Sequence, residues 1–292
     1  MITLANNLLS VHLLHPEQDR EYLGSRYCTG GYIHQIVHGI HGPLFSGPAY
    51  PAPDPPPFDG QGTPEAFVKP IGDADKQPTG ETVMVIGVGE VLKTSPAVPF
   101  TARANPVVKR FCTWEISQGS GRVSMVTRQL HPSGSIVLSR TVSLTGNKVT
   151  SGTRLFNDSE VPLPVAWFPH PFFPLNASGK CCRFEFDYRL PENPGYFTAA
   201  DDRKVICMNP EYDWEKGLFL QTEIITPGTF FEATVVHPQC ETVTVKGNYT
   251  LSSLPVWANA KTFSPEPYLE RQVTPGEMFE WDISYRFGNE VL

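Results

Sequence analysis

The sequence predicts an all-β protein built as a large antiparallel sandwich. Two observations carry this. Apolar and polar residues alternate with period two in several segments, and glycine- or proline-containing turns separate them. Nowhere does a long stretch show a convincing helical period. The composition agrees: 24 glycines, 29 prolines and 11% aromatic residues suit many short strands joined by turns.

Taken in order, Thr82-Val83-Met84-Val85-Ile86 opens one strand. Val123–Thr127 alternates apolar and polar, as does Ile136–Leu144 after the turn Pro132-Ser133-Gly134. Thr234–His237 and Thr242–Val245 give two more. Phe279–Phe287 closes the chain with clear alternation. Such alternation marks antiparallel strands with one wet face. The segment from Pro48 to Pro57 holds six prolines in ten residues. Proline has no N–H to give a ladder, so this run reads as an ordered loop beside a site rather than as a strand.

Composition narrows the function. Charged residues make up 18% and hydrophobic residues 40%, a globular balance, and the formal charge is −7. A negative field repels phosphate backbones, so nucleic acid is not an expected partner. No apolar run approaches bilayer length, and the N-terminus lacks the basic start of a signal peptide. Six cysteines, two of them adjacent at Cys181-Cys182, show no CxxC spacing. They read as reduced thiols, and the protein as cytoplasmic. Ile86-Gly87-Val88-Gly89-Glu90 lacks the third glycine of a dinucleotide fingerprint, and no G-x-S-x-G elbow occurs. His34, His38 and His41 have spacing that would suit a metal on a helix. Their neighbours favour a strand, which splits them between two faces, so no metal is expected.

Two segments carry chemistry. His170 lies in Trp167-Phe168-Pro169-His170-Pro171-Phe172-Phe173, and Glu266 in Phe263-Ser264-Pro265-Glu266-Pro267-Tyr268. Each is a titratable group flanked by prolines that fix φ and by aromatic rings that exclude water. A pair with different intrinsic pKa values can act as acid and base. His170 read alone is equally compatible with a half-buried core histidine, and Glu266 with a loop carboxylate.

The chain resembles the aldose 1-epimerase (galactose mutarotase-like) superfamily, particularly its uncharacterised branch. Five stretches carry the resemblance: Ser25–Ile33, Ile86–Gly89, Arg110–Glu115, Leu155–Ser159 leading into His170-Pro171-Phe172-Phe173, and Pro265-Glu266-Pro267 with Thr274–Glu277. The resemblance implies one β-supersandwich domain over residues 1–292, a free or modified sugar as the small-molecule partner, and no cofactor. It implies anomer interconversion, with His170 as the acid at the ring oxygen and Glu266 as the base at the anomeric hydroxyl. Trp167, Phe172 and Phe173 would form a platform for the sugar face. Arg26 and Arg110 would meet sugar hydroxyls or an acidic group such as a phosphate. Glu65, in Gly62–Phe67, matches a feature of the uncharacterised branch and joins the substrate-binding set. Other mutarotases carry an additional first-half histidine where this chain has Gly87-Val88-Gly89. A non-catalytic carbohydrate-binding or sensory protein with the same cleft is the alternative.

Overall fold

A computed structural model describes residues 1–52 and 55–288. Pro53, within the proline run, lies outside the described residues. The described chain is strands, turns and two short 3-10 turns (Arg20–Tyr22 and Trp214–Lys216). Among the described residues, no helix is long and apolar enough to cross a membrane.

A ten-stranded antiparallel sheet dominates. Its centre is formed by Arg122–His131, Gly134–Thr145, Lys148–Ser159, Met278–Phe287, Glu241–Thr250 and Phe230–His237. The last strand of the chain therefore lies between two others rather than at an edge. Every strand expected from alternation is present, most of them longer than the pattern showed. Alternation also sets the core. In Gly134–Thr145, Ile136, Leu138, Val142 and Leu144 are buried while their neighbours are less so. Side chains two apart share a face, so one face of the sheet is apolar and packs inward.

Two smaller sheets matter for function. One has three strands: Leu269–Val273, Leu163–Pro169 and Glu65–Phe67. The other has five: Phe173–Pro174, Thr262–Pro265, Leu254–Ala258, Leu218–Ile224 and Tyr188–Arg189. The same two stretches of chain run through both. In the first sheet Leu163 pairs with Val273 and Trp167 with Leu269. In the second, Phe173 pairs with Phe263 and Pro174 with Thr262. These pairs share a single antiparallel register. Continued across the gap, it sets Phe168 opposite Tyr268, His170 opposite Glu266 and Phe172 opposite Ser264. Pro169, Pro171, Pro265 and Pro267 fall in or beside that gap and have no N–H to donate, so the ladder breaks there. The break is where the titratable pair sits.

Candidate active site

Backbone bonds to neighbouring segments hold the break open. His170 N donates to Pro64 O at 2.8 Å, and Phe172 N to Gly62 O at 2.8 Å. Across from them, Glu266 N donates to Pro255 O at 2.8 Å. With the backbone satisfied elsewhere, the facing side chains meet. His170 Nε2 lies 3.4 Å from Glu266 Oε1. The other ring nitrogen, Nδ1, is 2.7 Å from Ser264 Oγ. Ser264 and Glu266 are two apart on one extended segment and therefore share a face. The next rung is aromatic: Phe168 and Tyr268 stack at 4.5 Å with 7° between their planes.

The pair lines a cavity of ≈ 380 Å³, together with Arg26, Asp59, Arg103, Phe172, Trp257 and Tyr268. Phe172 stacks on the imidazole at 4.2 Å, and Trp257 meets it edge-on at 6.1 Å. Phe219 and Trp257 are cross-strand partners and continue this aromatic wall. Pro48 and Phe58, from the two flanks of the proline run, also line the cavity, as expected of a loop beside the site.

Burial governs the protonation of the pair. Only 3% of each residue is exposed. Removing a charge from water disfavours its charged form. Burial, with the Arg26 charge as a smaller cause, holds His170 well below its ordinary value. Burial pushes Glu266 up to about 7, against the opposing pull of Arg26. The resting pair thus tends toward imidazole and carboxylic acid, with one labile proton between two oppositely tuned groups. A proton can pass between two groups so arranged.

Of the residues singled out in the sequence, the cavity gathers His170, Glu266, Arg26 and Phe172. Others are elsewhere. Trp167 is fully buried in the core, edge-on to Tyr249 and Trp281, so it is no sugar platform. Glu65 is buried with it and receives the Trp167 Nε1–H at 3.1 Å. The Glu65 carboxylate also pairs with Arg140 and accepts from Ser151, which leaves it no free face for substrate. Arg110 stands on the surface strand Val108–Phe111 and pairs with Glu90. Its motif, Arg110–Glu115, carried no information about which side of the sheet it faced.

Sequence reasoning missed Ser264, Trp257, Tyr268, Asp59 and Arg103. Ser264 and Tyr268 flank Glu266 at spacing two, a signal present in the motif itself. Arg103, in a turn with no pattern around it, gave none. His34 and His38 lie on the strand Ile33–His38. The His38 and His41 rings lie 4.6 Å apart, tilted by 37°, while His34 faces Tyr22 and Tyr32. All six cysteines are free and buried.

No protein-family profile matches the sequence, and no curated protein matches it either. Solved structures do match in fold. A galactose mutarotase related enzyme from Lactobacillus acidophilus superposes with a TM-score of 0.61 at 11% identity, covering 99% of this chain and 97% of that one. The Slr1438 protein from Synechocystis gives 0.56 at 14% identity, over 99% and 96%. A galactose mutarotase-like protein from Lactobacillus casei gives 0.54 at 14%, over 98% and 99%. The chain therefore has the galactose mutarotase-like fold, a β-sandwich architecture shared across nearly its whole length.

Proposed function

We propose that the protein interconverts the anomers of an aldose by proton exchange through His170 and Glu266. The observation that carries this reading is the buried pair itself: two oppositely tuned groups 3.4 Å apart, facing a cavity walled by aromatic rings. Flat apolar walls suit the C–H faces of a sugar, and the cavity volume is within the range of small-molecule sites.

The proton balance closes without a cofactor. Burial favours the proton on Glu266; in the tautomer where Nδ1 of His170 carries the N–H that faces Ser264 Oγ, Nε2 is a free base. In ring opening His170 Nε2 takes the proton of the anomeric hydroxyl while Glu266 protonates the ring oxygen. The C1–O5 bond breaks and its electron pair stays on the ring oxygen. The aldehyde turns about C1–C2. In closure the C5 hydroxyl returns its proton to Glu266, and His170 returns its own to the anomeric oxygen. Each group is acid once and base once per turnover. The family resemblance implies the opposite placement, with His170 at the ring oxygen and Glu266 at the anomeric hydroxyl; burial, which disfavours charge on both groups, supports the placement proposed here. Placing both groups on one side chain rung supplies orientation as well as proton transfer.

The test is anomer exchange measured by NMR over a panel of aldoses. Saturable exchange that is lost in both His170→Ala and Glu266→Gln is the expected result. Saturable sugar binding with no exchange above the solvent rate would sink the enzymatic reading and leave a carbohydrate-binding protein. Its domain is proposed to be the whole of residues 1–292, since the cavity takes Arg26, Asp59 and Arg103 from the first half of the chain and His170, Trp257 and Glu266 from the second.

A further inference from the structure

Seven of the thirteen arginines of this protein reach a carboxylate; among the described residues Arg20, Arg122 and Arg203 do not, but they lie outside the cavity. Arg110, Arg128, Arg140, Arg154, Arg183, Arg189 and Arg271 each reach a carboxylate. Arg26 and Arg103, the two that line the cavity with His170 and Glu266, reach none among the described residues. The cavity does contain carboxylates, Asp59 and Glu266, yet neither is within ion-pair distance of them.

Arg26 is nevertheless held firmly. Its guanidinium carbon lies 4.6 Å from the Phe58 ring centre and 5.0 Å from that of Tyr27. One N–H donates to Phe58 O at 3.3 Å. Stacking fixes the plane of a guanidinium and leaves its remaining donors in a fork that matches an oxyanion. Arg103 makes no hydrogen bond or ion pair among the described residues and so has its full set of donors to give. Both arginines also line an adjoining cavity of ≈ 200 Å³ that shares Phe58 and Tyr268 with the first. They therefore stand at a junction, where a substituent leaving the sugar ring would pass.

We propose that the cavity selects aldoses that carry an oxyanion, and that Arg26 and Arg103 clamp that group while His170 and Glu266 act at the anomeric centre. This rests on the anomer-exchange reading for its reaction, but not for its binding step. The oxyanion is a phosphate ester or a sugar carboxylate; two guanidiniums suit both, and the arms of the experiment separate them.

The experiment compares one aldohexose, its 6-phosphate and its uronic acid. Exchange is followed by NMR, and binding is measured separately by calorimetry, in the wild type, Arg103→Gln and Arg26→Gln. A hydrogen bond to a charged partner contributes about 1.5–3 kcal/mol, or roughly 10- to 150-fold. The expected result is tighter binding, and higher kcat/KM, for at least one charged sugar than for the neutral one. Each variant should cut that preference by tenfold or more. Preference for the phosphate alone, or for the uronate alone, identifies the source of the oxyanion. Equal handling of charged and neutral sugars, or a preference that survives in Arg103→Gln, overturns the proposal. Arg103 is exposed, so its variant folds whatever happens to Arg26. If no sugar exchanges anomers, the reaction fails while the calorimetric preference still decides the clamp.

Discussion

Two buried glutamates divide this molecule. Glu65 and Glu266 are equally hidden, 4% and 3% exposed. Glu65 meets Arg140, Ser151 and Trp167, all of them donors. Glu266 meets only the imidazole of His170 among the described residues. The first carboxylate is surrounded by everything a charge needs in a dry interior. The second is deprived of it, faces a cavity, and is pushed up to about 7. Burial by itself does not mark a functional carboxylate; burial without donors, beside an opening, does.

The sharpest way to break that contrast is to remove each group. Glu266→Gln and His170→Ala are expected to slow anomer exchange by roughly 10²- to 10⁴-fold, the usual contribution of a positioned acid or base. Glu65 offers the opposite outcome. Arg140→Met leaves its carboxylate buried and unpaired and should cost about 3–5 kcal/mol of stability, read from denaturant unfolding. If Arg140→Met instead left stability intact, the two glutamates would not differ as described.

The pH dependence of stability sharpens the same contrast. A buried carboxyl with a raised pKa stabilises the fold while it is protonated. That contribution is fully present below its unfolded value of 4.5 and is lost as pH rises through about 7. Glu266→Gln removes the dependence. Relative to wild type, the variant should gain stability between pH 5 and pH 8, up to about 3 kcal/mol. His170 acts at the acid end, because its depressed value makes protonation favour the unfolded chain. Stability therefore falls as pH drops below 6.5. Thermal melts of wild type and Glu266→Gln across this range check both signs. The smallest expected effect is at Ser264. Its replacement by alanine removes one hydrogen bond that orients the imidazole, and kcat should fall about tenfold with little change in melting temperature. A drop in KM or in stability alone would mean that Ser264 only packs.

The strands were legible in the sequence because each half-buried strand writes its own alternation. His170 and Glu266 were legible because both sit in short proline-and-aromatic frames. What was not legible depends on the third dimension. Glu65 and Trp167 looked like site residues by their motifs, but their side chains face the core, and a motif does not say which way a strand turns. Arg110 and Arg103 differ in the same way. The first lies in a recognisable segment and points to solvent; the second has no pattern around it and enters the cavity from a turn. Ser264 was within reach, since spacing two on an extended segment puts it on the face of Glu266.

One register, held from Leu163/Val273 to Pro174/Thr262, fixes the facing of His170 and Glu266. Everything the chain does between those two stretches is a closed excursion that leaves and returns at fixed points. Insertions in the exposed turns of that excursion cost only a slowly growing loop entropy and leave the facing of the two reactive groups unchanged. A single residue inserted inside either stretch would turn its side chains to the opposite face and separate the pair. The molecule is thus free to vary its rim while its reacting centre tolerates no change in length.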